Sequence, residues 1–321
     1  MRTRHRAAGE KVRDEMSYSR NPRGVEKLDL HQDAALSLQG GSARRTVESR
    51  YCPLVSEDRY THGHHESVLR SHRWRTAENS AAFLLPHLET DFNLLDVGCG
   101  PGNITADLAQ LVPGGSVTGI DRSAEVVARA QVEFASHAGG NLRFEQGDVY
   151  RLRFPDDQFD VVFAHQVLQH LTRPIEAIRE MRRVTKPGGV VAVRDADFGA
   201  FVWAPDDPTL DSWMDIYHQL TRRNGAEADA GRKLKGWVHS AGFRDLKVSS
   251  SNWTFSTDSE RSWWGGLWAD RVTESDFARQ SIEYGLCGPA DLASFAAAFR
   301  RWVNEPDGVF IVVNIECLAR K

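Results

Sequence analysis

The stretch LLDVGCGPGNIT, residues 94–105, decides how the chain folds. An apolar run typical of a buried strand leads into three glycines spaced Gly-x-Gly-x-Gly and then into residues that favour a helix. Gly98 permits a sharp turn off the strand, Gly100 lets a ligand approach bare backbone, and Gly102 precedes a helix whose first amides are free. The stretch therefore predicts a strand, a tight turn and a helix that together bind a nucleotide-like ligand.

Outward from this stretch, β-rich segments alternate with helical ones up to about residue 197. The predicted strands lie at 93–98, 115–121, 141–146, 159–165 and 188–197, and the predicted helices at 103–112, 123–137 and 173–184. Alternating segments of this length predict an α/β fold, in which a parallel sheet is covered by helices on both faces.

The flanking regions differ from this core in composition. Residues 1–55 are rich in Arg, Gly, Ser and Glu and show no sustained period, which predicts a disordered tail. Residues 56–90 predict one or two helices before the core of residues 91–200. After residue 200 the pattern is mostly helical, with strand-like runs at 246–256 and 308–320. We expect residues 201–321 to complete the same domain with helices on the substrate side and C-terminal strands.

The overall composition excludes several classes of protein. The chain has 321 residues, with 40 Lys and Arg against 44 Asp and Glu and a net charge of -4, which argues against a nucleic-acid partner. No apolar run approaches the roughly 18 residues of a membrane span, and the first residues lack the apolar stretch of a secretory signal. We therefore expect a cytoplasmic protein with no membrane span. Its oligomeric state stays open.

The cysteines and histidines do not predict a metal site. The four cysteines are scattered without a Cys-x-x-Cys pair, so neither a zinc knuckle nor a disulfide framework is indicated. Four histidines near the N-terminal side of the core lack partner ligands at metal-binding spacing, and we expect them on a helix surface or in a lid. They are His62, His64, His65 and His72.

Three acidic residues predict the type of cofactor. Asp121, at the end of the next strand, can accept both hydroxyls of a ribose, and Asp148, after the third strand, can accept from an adenine amino group. Dinucleotide sites need a further glycine where this chain has Asn103. Together with Asp96, the acids suit the ammonium, ribose and adenine of S-adenosylmethionine. Each acid also has a structural interpretation, as a helix cap, a turn residue or a buried acid bonded to loop amides.

Five segments within residues 93–197 resemble successive motifs of the class I S-adenosylmethionine-dependent methyltransferases. They are LLDVGCGPGNIT, VTGIDRS, GDVYRLRF, FDVVFAHQVLQHL and MRRVTKPGGVVAV. Within that superfamily the chain is most similar to the ubiquinone/menaquinone-biosynthesis type of small-molecule methyltransferase. The resemblance implies a Rossmann-like sheet of seven strands in the order 3-2-1-4-5-7-6, with strand 7 antiparallel and the N-terminal helices forming a lid.

The resemblance also implies a set of cofactor-binding residues. Those expected at the methionine part are Asp96, Gly98, Gly100 and Gly102. Those expected at the ribose and adenine are Asp121, Arg122, Asp148 and Val149. Those expected near the sulfonium and the substrate mouth are His165 and Gln166, and those expected in the lid are Tyr60, His64 and Arg75.

The predicted function is methyl transfer from S-adenosylmethionine to an oxygen, nitrogen or carbon of a small organic acceptor. In-line displacement mainly requires alignment and exclusion of water, and a base only where the acceptor carries a proton. His165 is the candidate base, with a structural role as the alternative. Two other functions stay open: a non-catalytic S-adenosylmethionine- or nucleotide-binding regulator and, less favoured by Asn103, an NAD(P)-dependent oxidoreductase.

Two further groups of residues lie where a substrate could bind. Asp195 and Asp197, after the fifth strand, could orient a nucleophile or be half-exposed loop carboxylates. Eight tryptophans follow the core, and they could line a pocket for a flat, apolar substrate or simply pack helices. They are Trp203, Trp213, Trp237, Trp253, Trp263, Trp264, Trp268 and Trp302.

Overall fold

Five parallel strands form the centre of the fold. The computed structural model describes residues 58–63, 65–136 and 140–321, so the predictions for residues 1–55 and for His64 lie outside the described residues. The five strands are β1 (Asn93–Val97), β2 (Ser116–Asp121), β3 (Leu142–Gln146), β4 (Phe159–His165) and β5 (Thr185–Ala196). All of their mutual pairings are parallel, as the alternating pattern predicts.

Three further strands complete the sheet, namely β6 (Val202–Ala204), β7 (Asp245–Phe255) and β8 (Val309–Arg320). The last strand of the chain, β8, lies antiparallel between β5 and β7. The order β3-β2-β1-β4-β5-β8-β7 confirms the predicted seven-stranded arrangement, with β7 and β8 as the predicted strands 6 and 7. The three-residue β6, which pairs with one end of β8, is the addition that the sequence did not predict.

The central strands are apolar on both faces because helices cover both sides of the sheet. In β4, Val161, Val162, Phe163 and Ala164 are all fully buried. Such continuous apolar runs are typical of parallel strands, which have no solvent-facing side. The polar residues that a ligand needs are therefore confined to the strand ends and the loops that follow them.

Ten helices flank the sheet in the described part of the chain. Their bounds are α1 (Glu66–Arg73), α2 (Ala77–Ser80), α3 (Asn103–Leu111), α4 (Ala124–Glu133), α5 (Pro174–Val184), α6 (Pro208–Arg223), α7 (Ala230–Ser240), α8 (Asp258–Glu274), α9 (Asp276–Glu283) and α10 (Pro289–Val303). In α5 the apolar residues Ile178, Met181 and Val184 recur every third position along one face, and all three are fully buried against the sheet. No helix among the described residues is both long and apolar enough to cross a membrane.

The sequence did not predict helices α8 and α9. Helix α8 buries Trp264, Leu267, Trp268, Ala269 and Val272, but Arg261 and Arg271 are buried on the same face and interrupt its apolar pattern. The 3.6-residue period that identifies a surface helix is therefore weak. A capping box between the N-cap Thr257 and Glu260 begins this helix.

Helix α8 joins the described residues before β1, which we call the pre-core segment, to the helices on the substrate side. Arg271 Nη2 donates to the Ser67 carbonyl oxygen at 3.1 Å and to Ser71 Oγ at 2.8 Å, which attaches α8 to α1. On the other side of α8, Trp264 and Trp268 pack in one apolar cluster with Phe299 of α10. The position of α8 is thus fixed by helices from both ends of the described chain.

Two adjacent glycines of α8 provide a matched test of this packing. A Cβ at Gly265 would lie 2.4 Å from Val303 Cγ2, whereas a Cβ at Gly266 would meet nothing within 4 Å. We expect Gly265→Ala to lower the free energy of unfolding by about 1–3 kcal/mol through overpacking. Gly266→Ala should raise it by about 0.5–1 kcal/mol because the unfolded chain loses entropy. Denaturant unfolding of both variants measures this, and shifts of the same sign would contradict the packing.

Candidate functional site

A cavity of about 510 Å³ opens at the carboxyl ends of the central strands. One part is lined by the loops after β1, β2, β3 and β4, and the other by the pre-core segment, β7 and α8. Open α/β sheets bind ligands at this edge, where the strand order reverses. In this fold the reversal lies between β1 and β4.

The three glycines after β1 have different roles. All three have left-handed φ angles, +71° at Gly98, +54° at Gly100 and +92° at Gly102. A Cβ at Gly98 would lie 2.4 Å from Val167, and one at Gly102 would lie 2.7 Å from Phe144, so these two positions are closed by packing. At Gly100 the nearest such neighbour is His72 Nδ1 at 3.9 Å. The middle glycine therefore leaves its backbone open to the cavity, as close approach of a ligand requires.

Asp121 fixes this loop to the next strand. Its Oδ2 accepts from the Gly100 amide at 3.1 Å, and its Oδ1 accepts from the Ser123 amide at 2.9 Å at the start of α4. The carboxylate also lines the cavity. Asp121 can therefore hold the loop and the start of α4 and still face a ligand in the cavity.

Asp96 is a carboxyl group inside the sheet. It is 3% exposed, and Thr105 Oγ1 donates to its Oδ2 at 2.6 Å. Burial raises the pKa of Asp96 to about 7, against the opposing effect of the Thr105 hydrogen bond. A cation beside this group would favour its ionised form. The site can therefore accept an ammonium group by releasing a proton.

The loop after β3 and the residues before α1 meet on one side of the cavity. Asp148 Oδ1 accepts from the Tyr150 amide at 2.9 Å, which forms a local turn. Arg122 Nη1 donates to the Asp58 carbonyl oxygen at 3.2 Å, and Tyr150 Oη donates to Asp58 Oδ1 at 2.9 Å. With Val149, these residues line the cavity or hold its wall. The contribution of Asp58 had no signal in the sequence.

Gln166 connects three separate parts of the chain at the end of β4. Its φ of +53° is unusual for a residue with a side chain. Gln166 Oε1 accepts from Arg75 Nη2 at 2.6 Å, and Gln166 Nε2 donates to Asn314 Oδ1 at 3.0 Å. The two predicted residues Gln166 and Arg75, 91 positions apart, are thus in direct contact.

His165 is a neutral hydrogen-bond donor in this arrangement. Its Nδ1 lies 3.4 Å from Arg194 Nη1, and because a guanidinium only donates, the ring hydrogen is on Nε2. Burial, and then the charges of Arg194 and Arg75, hold the pKa of His165 well below its usual value. Its Nε2 has no hydrogen-bond partner among the described residues. Such a ring can donate to a ligand oxygen, but the geometry disfavours the predicted role of general base.

Tyr60 packs between two further buried histidines. The ring centroids of Tyr60 and His170 are 4.7 Å apart, and those of Tyr60 and His62 are 5.9 Å apart. Tyr217 Oη lies 3.0 Å from His62 Nε2. Of the two predicted positions for His62, a helix surface is wrong, because His62 is 5% exposed and packed on the aromatic core in the segment before α1. No three metal-ligating side chains cluster in the part of the chain described here.

Aromatic side chains line the part of the cavity away from the glycine loop. Phe198 and Phe201 line it together with four of the eight tryptophans, namely Trp253, Trp263, Trp264 and Trp268. The other four do not line the cavity. The prediction of half-exposed carboxylates at Asp195 and Asp197 was wrong, since both are fully buried. Asp195 accepts from the Gln169 amide and Asp197 pairs with Arg232.

Comparisons with known proteins agree with the sheet and the glycine loop. Residues 88–242 match the family model of a methyltransferase domain. The chain is 31% identical over 277 residues to an uncharacterized methyltransferase of Schizosaccharomyces pombe, covering 82% of this chain and 96% of the relative. It is 37% identical over 100 residues to a ubiquinone/menaquinone biosynthesis C-methyltransferase of Bdellovibrio bacteriovorus, covering 31% of this chain and 42% of that protein.

A solved structure shows the same fold. The YcgJ protein of Bacillus subtilis aligns with a TM-score of 0.51 at 21% identity, covering 76% of this chain and 98% of that one.

If Asp96 pairs with the ammonium of the cofactor, we expect cofactor binding to depend on pH. Below about pH 7 its carboxyl is protonated, and it must lose that proton to pair with an ammonium. We expect the affinity for S-adenosylhomocysteine to rise about tenfold from pH 6 to pH 8 and to level off above. Calorimetric titration across this range measures the effect. Asp96→Asn should bind more weakly with little pH dependence, and an equal slope in that variant would assign the titration to another group.

Proposed function

Because the chain belongs to the methyltransferase family, we propose that it transfers a methyl group from S-adenosylmethionine to a small organic acceptor. One observation carries this proposal. A single cavity joins the open backbone of Gly100 and the carboxylates of Asp96, Asp121 and Asp148 to an aromatic compartment. The polar part suits an ammonium, a ribose and an adenine, and the apolar part suits an organic acceptor.

The residues present fit the cofactor. S-adenosylmethionine would supply an electrophilic methyl group on a sulfonium. Asp96 would pair with the ammonium, while Gly98, Gly100 and Gly102 shape the backbone along the methionine part. Asp121 with Arg122 would face the ribose, and Asp148 with Val149 the adenine. Tyr60 and Arg75 would close the site from the side of the pre-core segment, in the role of the predicted lid. Gln166, directly after β4, would lie near the sulfonium and the substrate mouth.

The task of the protein is alignment and exclusion of water. The aromatic residues from β7 and α8 give the acceptor a dry compartment next to the cofactor loops. His165, as a neutral donor, would bind an oxygen of the acceptor and orient it. We keep His165 as the residue that touches the acceptor, in this orienting role.

The acceptor is a small molecule in this proposal. The net charge of -4 does not favour binding to nucleic acid. The end of β4 and the two residues after it read Ala164-His165-Gln166-Val167. Nucleic-acid amino-methylating enzymes have an Asn/Asp-Pro-Pro-Tyr/Phe sequence there, with which they extract a base. The aromatic lining supports an acceptor with an apolar body.

Calorimetric titration with S-adenosylhomocysteine tests the cofactor assignment. We expect micromolar binding to the wild type and at least tenfold weaker binding to Asp121→Ala, which loses the carboxylate facing the ribose. The matched control is Glu145→Ala, which removes an exposed carboxylate on β3 that does not line the cavity. This variant should bind as the wild type does.

Other outcomes would support the alternative functions. Tight binding of NAD with weak binding of S-adenosylhomocysteine would favour an oxidoreductase. Tight binding of S-adenosylhomocysteine without methyl transfer to any of a panel of phenols, quinols, organic acids and amines would favour a regulatory protein. An effect of Glu145→Ala as large as that of Asp121→Ala would remove the assignment of Asp121.

A further inference from the structure

Two arginines in the cavity wall, the buried Arg271 and the partly buried Arg75, have no carboxylate partner among the described residues. Arg75 donates to Gln166 Oε1, and Arg271 donates to the Ser67 carbonyl oxygen and Ser71 Oγ. In the described residues the Nε of each guanidinium has no hydrogen-bond partner, and neither arginine forms an ion pair. Burial lowers the pKa of both to about 10, so both remain charged at neutral pH.

A third arginine, Arg194, shows how the charge of a buried guanidinium is usually balanced, namely by a nearby carboxylate. Arg194 is fully buried in β5, and its Nε lies 3.5 Å from Glu316 Oε1 on β8. An unpaired buried cation is strongly unfavourable, and proteins normally place an anion beside it. The contrast indicates that the charges of Arg75 and Arg271 are balanced by a ligand.

The charges along the cavity are unevenly distributed. The carboxylates that line it among the described residues belong to the cofactor loops or the segment bonded to them, and they are Asp58, Asp96, Asp121 and Asp148. The aromatic compartment has no carboxylate. It does have neutral donors, because the indole Nε1 atoms of Trp264 and Trp268 are buried without partners in the described structure. This compartment is therefore rich in donors and positive charge.

The histidines add donors to this compartment. His165 carries its ring hydrogen on Nε2, as shown above. His170 Nε2 lies 3.1 Å from Gln169 Nε2, whose amide oxygen accepts from the Ala196 amide, so His170 accepts at Nε2 and carries its hydrogen on Nδ1. That Nδ1 also has no partner among the described residues. Burial lowers the pKa of His170 to about 3, so it stays neutral.

The two arginines differ in their surroundings. Arg75 contacts Gln166 beside the cofactor loops, where the proposed function places the charged end of the cofactor. Arg271 lies over the ring of Trp268, with Cζ 4.6 Å from the ring centroid, in the aromatic compartment. A cation stacked on an indole offers a positive charge beside an apolar face. A flat organic anion requires both features for binding.

We infer that the acceptor is a flat organic acid, with an anionic oxygen held by Arg271 and an apolar body packed against the tryptophans of α8. This inference rests on the proposed function and names its substrate class. An acceptor that arrives as an oxyanion would use its own lone pair for the new bond from oxygen to the methyl carbon. The bond from that carbon to the sulfonium sulfur would break with its electron pair left on sulfur, so that neutral S-adenosylhomocysteine leaves and no side chain has to remove a proton. The absence of a free base at His165 and His170 is consistent with this. A positively charged amine would be repelled.

A pair of matched probes tests the inference. The full-length protein, saturated with S-adenosylhomocysteine, is titrated calorimetrically with 1-hydroxy-2-naphthoate and with 1-hydroxy-2-naphthamide, which have similar shapes and differ in charge. We expect the carboxylate to bind at least tenfold more tightly than the amide. Arg271→Met should abolish this preference while leaving the amide affinity within about twofold. Arg271→Lys should retain part of it, because the charge remains.

Arg279→Met is the control, since Arg279 is exposed on α9 and does not line the cavity. It should leave the preference intact. The inference is overturned if the wild type binds both probes equally or neither, or if Arg271→Met keeps the preference. If Arg271→Met fails to fold, the affinities of the wild type for the two probes still test the inference. Failure of the wild type to bind S-adenosylhomocysteine would instead overturn the proposed function, which separates the two ideas.

Discussion

The burial of the parallel sheet on both faces is the constraint on which the rest of the structure depends. Strands such as β4 have no solvent-facing side, so they can hold almost no polar groups. Polar side chains that bind ligands therefore collect where the strands end. Asp96 in β1 is one exception, with Arg194 and Asp195 in β5, and its raised pKa reflects the unfavourable burial of charge.

The parallel core and the cofactor loops could be predicted from sequence because their signals are local, whereas the order of the strands was implied by the resemblance to a known family. Glycines that need left-handed angles and acids that follow apolar runs lie within a few residues of one another. Even so, the two bonds that Asp121 makes with Gly100 and Ser123 go beyond the predicted contact with a ribose. The pattern gave the position of this acid, and the structure adds its function in holding the loop.

The acceptor side could not be predicted, because its residues come together only in the fold. Arg271 lies 200 positions from Ser71, and nothing near it in sequence marks it as a site residue. The buried face of helix α8 includes Arg261 and Arg271, which interrupt the apolar stripe by which helices are recognised. The burial of His62, Asp195 and Asp197 was not predicted for the same reason, since it depends on distant aromatic and charged partners.

The pre-core segment is a wall shared by both halves of the cavity. Arg75 is bonded to Gln166 at the end of β4, Ser67 and Ser71 are bonded to Arg271 of α8, and the Asn79 carbonyl oxygen accepts from Trp253 Nε1 on β7. A displacement of this segment would therefore alter the cofactor loops and the aromatic compartment together. Occupancy of the two halves is then thermodynamically coupled, and by reciprocity each ligand changes the affinity for the other by the same factor.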